Sequence, residues 1–154
     1  MILLEILGNP MPLNRHRACK RGNFIHMYDS QVKEKEQVIW QVRSLYKEKP
    51  ILMPIEMDII FEMPIPKATS KVKRRYMLQG DMYPMTKPDL DNLVKFTLDC
   101  LNGILFHDDK QVQILHARKV YSESPRTIVR ALCIEEKNKR VYNANVEASN
   151  ESDF

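Results

Sequence analysis

A single small α/β domain of the α+β kind, with a mixed, largely antiparallel sheet and two main helices, is the fold the sequence predicts. Three observations predict it. The chain has 154 residues, the size of one ordinary domain and enough to bury a core without a disulfide or metal staple. Hydrophobic residues are 44% and charged residues 29%, which excludes wholesale disorder and collagen-like composition. Segments with strand and helix periodicity follow one another in the order β-α-β-loop-α-β-β. The domain is read as residues 1–135. Residues 136–154 lose periodicity and form a polar tail, expected to be mobile.

Residues 2–7 form a short β-type run, stopped by Gly8-Asn9-Pro10. Residues 31–46 carry Val32, Val38, Ile39, Val42, Leu45 and Tyr46 at helical spacing, with Asp29-Ser30 as the expected N-cap. Residues 55–63 alternate: Ile55, Met57, Ile59, Phe61 and Met63 share one face, and Glu56, Asp58 and Glu62 the other. That is a half-buried strand. A long loop is expected over 64–86. In residues 89–102, Leu90, Leu93, Val94, Leu98 and Leu101 line one side of a helix. Pro88 suits its start and Asn102-Gly103 its stop. Residues 111–121 and 127–135 are two β-type runs, expected to pair as a hairpin through Ser122–Arg126.

Charge is unevenly spread over a formal net charge of +4. Ile6 to Met27 holds no acidic residue but includes Arg15, Arg17, Lys20 and Arg21. Met63 to Gly80 again holds none, and carries Lys67, Lys71, Lys73, Arg74 and Arg75. Two acid-free basic loops in one small domain point to a polyanion gripped through its phosphates, although each alone would suit a solvated loop. Asn14, Arg15, Arg17, Lys20, Arg21, Lys71, Lys73, Arg74 and Arg75 are the expected DNA contacts. His16 and His26 are read as neighbours of phosphates or bystanders. Tyr76 and Tyr83 are candidates for an aromatic wedge.

Other classes are excluded or disfavoured. No apolar run approaches the roughly 20 residues of a membrane span. Met1-Ile2-Leu3-Leu4-Glu5 lacks the basic region and length of a secretory signal. Cys19, Cys100 and Cys133 are scattered, which fits free thiols in a cytoplasmic protein better than a disulfide framework or structural zinc site. With four glycines in all, no Gly-rich phosphate loop is present.

The informative stretch is Lys87-Pro88-Asp89-Leu90-Asp91-Asn92-Leu93-Val94-Lys95, followed by Phe106-His107-Asp108-Asp109-Lys110-Gln111-Val112. Pro88 places Asp89 at a cap or first-turn position, Asp91 in the first turn, and Lys95 one turn beyond it. Clustered carboxylates are hard oxygen ligands for Mg²⁺ or Mn²⁺, and a lysine beside them suits a reacting phosphate. Plainer roles stand beside this one. Asp89 could cap the helix, Asp91 could pair with Lys95, and Asp108-Asp109 could be an acidic turn. His107 is read as a surface histidine.

At these residues the sequence resembles the RusA family of Holliday junction resolvases. The resemblance rests on Asp89-Leu90-Asp91-Asn92-Leu93 with Lys95, the helix end Leu101-Asn102-Gly103, and Asp108-Asp109 with Gln111-Val112. Gly8-Asn9-Pro10-Met11-Pro12, Asn14-Arg15-His16-Arg17 and Tyr28 are similar to that family's basic first loop. It spans roughly residues 2–135. It implies a RusA-like fold and a homodimer that binds four-way DNA and makes paired nicks with Mg²⁺ or Mn²⁺. It further implies that Asp89, Asp91 and Asp109 are the essential acidic residues and metal ligands, Lys95 the essential basic residue, and Asp108 an adjacent acid and secondary ligand. Two other functions fit the residues: a non-catalytic DNA-binding module of prophage origin, and a metal-dependent nucleotide phosphatase.

Overall fold

The computed structural model describes residues 1–14 and 30–134, and the backbone alone of residues 17–21 and 24–28. Asp29 and the tail after 134 lie outside the described residues. Strands are β1 (Ile2–Leu7), β2 (Arg17–Arg21), β3 (Phe24–Tyr28), β4 (Ile55–Pro64), β5 (Val112–Ser122) and β6 (Arg126–Cys133). Helices are α1 (Val32–Leu45), α2 (Lys71–Gln79) and α3 (Leu90–Leu101), with a 3₁₀ turn at Asp109–Gln111.

Four strands form one mixed sheet in the order β1-β6-β4-β5. β6 runs antiparallel to both β1 and β4, and β5 runs parallel to β4. The predicted β5–β6 hairpin is therefore corrected. The two strands follow each other closely in the chain but flank β4, and residues 123–125 pass over its end. The buried alternation of β4 explains the choice: Ile55, Met57, Ile59, Phe61 and Met63 are all buried. Such a strand belongs in the middle of a sheet.

Both basic segments read as loops contain regular structure. β2 and β3 pair antiparallel as a separate two-stranded sheet. α2 occupies much of 64–86, with the Ser70 hydroxyl accepting from the Lys73 N–H and Gly80 closing the helix at φ +85°.

α1 and α3 cover one face of the main sheet and meet through a Lys35–Asp99 ion pair. Leu4, Ile6, Val42, the β4 residues, Leu93, Leu101, Leu105, Phe106 and Val129 make the core beneath them. No helix covers the other face among the described residues. There Asp58 takes Arg118 and Arg130, each at 3.3 Å, and Arg126 bridges Glu62 at 2.7 Å and Glu5 at 3.0 Å. These long side chains shelter Ile60 and Ile128, 7% and 8% exposed.

The helix boundaries follow local chemistry with one exception. α3 starts after Pro88 and stops where Gly103 turns left-handed at φ +73°. α1, however, starts at Gln31, whose side chain makes no cap bond. That buried amide instead accepts from the Asn14 N–H at 2.6 Å and donates to the Pro12 carbonyl at 2.9 Å, tying down the first loop. Among the described residues, no helix is long and apolar enough to cross a membrane.

Candidate functional site

One edge of the molecule gathers the first acidic motif and the second basic segment that sequence reasoning singled out. It is formed by the C-terminal ends of β1, β4 and β5, the start of α3, and the helix α2. Gly8 donates its N–H to the Pro125 carbonyl, 3.2 Å away, and Leu13 donates to the Asn92 carbonyl, 2.8 Å away. These bonds fold the first loop over the start of α3. Asn14, Lys87, Asp89 and Asn92 line a shared cleft there, with Pro10, Pro12, Leu13 and Pro88 as its walls.

The Lys87–Pro88 peptide, in cis, leads into Asp89. Lys119 on β5 braces it from beneath: its ammonium donates to the Pro88 carbonyl at 2.9 Å and to the Thr86 carbonyl at 3.1 Å. Asp89 then takes the N-cap position with extended backbone, φ −72° and ψ 143°, yet its carboxylate makes no cap hydrogen bond. The helix does not consume that carboxylate, and Asp89 is exposed at the border of the cleft. Asp91 sits in the first turn. Lys95 donates to it at 3.1 Å from one turn on, and both side chains are more than half exposed. The Lys95 hydrogen bond, more than any other influence, holds the Asp91 carboxyl below its usual range.

Basic charge borders this edge. α2 stands beside β5, and Arg74 ties it to Glu123 in the β5–β6 connection at 2.9 Å. Lys71, Lys73 and Arg75 have no acidic partner among the described residues. The Arg75 guanidinium lies 5.8 Å from the Tyr76 ring centroid. Tyr83 and Met85, 64% and 95% exposed, project from the segment between α2 and Asp89.

A family model for the RusA endodeoxyribonuclease matches residues 8–131, well over half the chain. The chain belongs to the RusA family. A curated relative, the uncharacterized protein YqaN of Bacillus subtilis strain 168, is 36% identical over 132 residues, covering 83% of this chain and 93% of the relative. The family match takes in both acidic motifs, and membership places the chain among endodeoxyribonucleases.

Set against the RusA motifs, the structure divides the acidic residues into two groups. Asp89 and Asp91 lie at the start of α3, beside Lys119 near the far end of β5. Asp108 and Asp109 lie just before the beginning of β5. The rise of about 3.3 Å per residue puts Val112 and Lys119 roughly 23 Å apart along that strand. Accordingly, no three His, Cys, Asp or Glu side chains among the described residues are grouped to hold a metal ion. Within this chain, as described, Asp89 and Asp91 do not meet Asp108 and Asp109 around one Mg²⁺ or Mn²⁺ ion.

Asp108 and Asp109 also differ from each other. The Asp108 carboxylate accepts from the Lys110 N–H at 3.0 Å and pairs with the Lys110 ammonium at 3.2 Å. Its own N–H donates to the Gln111 side chain at 2.9 Å, completing a capping box. The Lys110 backbone bond is the main cause of its lowered pKa. Gln111 in turn donates to the Ile51 and Met53 carbonyls. Asp109 is exposed beside this knot. His107 is exposed too, and its backbone N–H donates to the Ile51 carbonyl.

Among the expected DNA contacts, Asn14, Lys71, Lys73, Arg74 and Arg75 fall on the described edge. Arg15 and His16 lie outside the described residues. Arg17, Lys20, Arg21 and His26 belong to β2 and β3, but their side chains lie outside them. Sequence reasoning missed Lys119 and Gln31. The one signal for Lys119 was a cation on the inward face of a β-type run, in period with Ala117 and Tyr121.

Proposed function

We propose that this protein is a structure-selective endodeoxyribonuclease that resolves Holliday junctions by paired, divalent-cation-dependent phosphodiester hydrolysis during DNA recombination and repair. The observation that carries the reading is Asp89 itself. It is an N-cap residue whose carboxylate caps nothing, set in a cleft with Asn14 and Lys87 and followed by Asp91 and, a turn later, Lys95. The family match supplies the reaction class. The basic edge supports the substrate class, because phosphate contacts provide most of the affinity for a nucleic acid.

In this reading Asn14, Lys71, Lys73, Arg74 and Arg75 hold the DNA backbone against the edge, joined by Arg15, Arg17, Lys20 and Arg21. Asp89 and Asp91 present oxygens to the scissile region. Lys95, already beside Asp91, balances charge that develops on the phosphate. Mg²⁺, with Mn²⁺ as a substitute, would activate water and neutralise phosphate charge when bound. Asp109, with Asp108 as a secondary candidate, would complete its oxygen ligands, which one subunit alone does not bring together.

The test is a panel of synthetic four-way, three-way, flap and linear DNA, each with Mg²⁺ and with a chelator. The expected result is symmetric nicking of the four-way junction that chelation abolishes. Binding without cutting under every condition would support the alternative of a non-catalytic DNA-binding module.

A further inference from the structure

We propose that Lys35 of α1 is a positioning residue for strand cleavage: by holding Asp99, it reserves the Lys95 ammonium for Asp91 and the phosphate beside it. This deepens the nuclease reading and rests on it. Of the 12 residues of α3, three are exposed: Asp91, Lys95 and Asp99. They follow one another at intervals of four, so they stand in one row on one face, with Lys95 between two carboxylates. Lys95 donates to Asp91 at 3.1 Å. Asp99, one turn further on, is met from the other helix by the Lys35 ammonium, also at 3.1 Å.

Helix geometry alone does not settle which acid Lys95 serves. An acid four residues before a lysine is better placed than one four residues after it, but the advantage is about twofold at most in an exposed pair. Lys35 settles the choice. Its side chain is 19% exposed, against 58% for Lys95. Breaking its pair would leave a partly buried charge uncompensated, so it holds Asp99 more firmly than a solvated lysine would. The negative charge one turn beyond Lys95 is thereby neutralised. Lys95 is left to Asp91, on the turn that begins at Asp89 and the cleft. Without Lys35, Asp99 becomes a second carboxylate within reach of Lys95, and the ammonium is divided between the two.

Two substitutions break the same ion pair in opposite senses. Lys35→Met keeps the aliphatic stem and releases Asp99, whereas Asp99→Asn removes the competing charge. Single-turnover rates are measured on a saturating four-way junction with Mg²⁺, so that changes in affinity do not enter. Lys35→Met is expected to cut at least about twofold more slowly. Asp99→Asn is expected to cut at the parental rate, and the double variant Lys35→Met/Asp99→Asn to regain it. A pair that merely joins the helices gives another pattern: both single variants lose activity alike, and the double variant is no better. That pattern, or an unslowed Lys35→Met beside a wild type that cuts, overturns the proposal and leaves the nuclease reading standing. A wild type that never cuts removes that reading and the role of Lys35 with it. A second readout does not depend on activity. The nitrogen chemical shift of the Lys95 ammonium, followed by NMR, is expected to move in Lys35→Met and to return in the double variant. A shift that is the same in wild type, Lys35→Met and the double variant overturns the proposal.

Discussion

The Lys119 ammonium reaches from β5 to the Pro88 carbonyl, 2.9 Å away, and so fixes the residue that precedes Asp89. A second bond to Thr86 makes the contact a two-point brace. Lys119 touches no substrate in this reading; it is a positioning residue. Lys119→Met keeps the aliphatic stem and removes both bonds. A hydrogen bond to a charged group contributes about 1.5–3 kcal/mol, so a measurable loss of stability in urea is expected. Junction cleavage is expected to fall through kcat more than through binding, with Lys119→Arg restoring part of it. Unchanged kcat in Lys119→Met would show that Asp89 is held by other means.

Asp89→Asn and Asp91→Asn are expected to lower cleavage by at least about 100-fold, the scale of losing one charged group at a reacting centre. Junction binding, measured by gel shift, is expected to persist, because the basic edge is intact in both variants. The Asp91 variant carries one more signature. Lys95 loses its anionic neighbour, so binding of the uncleaved junction is expected to tighten slightly at low salt. Cleavage by Asp91→Asn at the parental rate would remove Asp91 from the site.

The elements that followed from local pattern were legible, and those that depended on distant partners were not. β4 and α3 announced themselves through periods of two and of three to four residues, because each buries one definite set of side chains. α2 was hidden. Its segment, Lys71–Gln79, buries Met77 alone, so its charge spoke more loudly than its period. The β5–β6 connection has the length and turn residues of a hairpin, and nothing local reveals that β4 inserts between the strands. The acidic motifs were readable as chemistry, but their placement at opposite ends of β5 is set by the parallel pairing of β4 with β5. Gln31 was unreadable for the same reason, since its partners lie 17 and 19 residues away in the chain.

Gln31 offers a test of how the first loop is held. Its buried amide serves the Asn14 N–H and the Pro12 carbonyl at once. Gln31→Ala takes the partner from the part-buried Asn14 N–H and Pro12 carbonyl, at a cost of about 1 kcal/mol or more. Urea denaturation is expected to show that loss. DNA affinity is expected to fall as well, because Asn14 lines the cleft beside Asp89. A destabilised variant with unaltered junction binding would separate the loop from the substrate.

The cations of α2 are expected to act unequally. Arg74 is already committed to Glu123, whereas Lys71, Lys73 and Arg75 face solvent without an acidic partner among the described residues. Replacing those three by alanine is expected to weaken binding evenly across DNA sequences. The slope of log K against log salt should fall by about 0.9 for each phosphate that is no longer neutralised, hence by up to about 2.7. Arg74→Ala is expected to move the slope less and to loosen α2 against the β5–β6 connection. An unchanged slope in the triple variant would place the DNA elsewhere.

Asp108 and Asp109 are adjacent in sequence and are expected to respond differently to substitution and to pH. Asp108 caps the 3₁₀ turn, and its pKa is lowered from 3.8 chiefly by the Lys110 backbone hydrogen bond. A carboxyl lowered in the folded state stabilises it fully above the unfolded value, and the benefit disappears as pH falls through the lower, folded value. Asp108→Ala is therefore expected to lower Tm at pH 7, with the gap from wild type narrowing once the pH drops below about 4. Asp109 has no such cap to lose. Asp109→Asn is expected to keep the wild-type Tm at pH 7 while losing junction cleavage. Calorimetry from about pH 3 to pH 7 with a parallel cleavage assay checks both. If Asp109→Asn cut normally while Asp108→Asn did not, the second ligand would be the capping residue, and the assignment of the pair would be reversed.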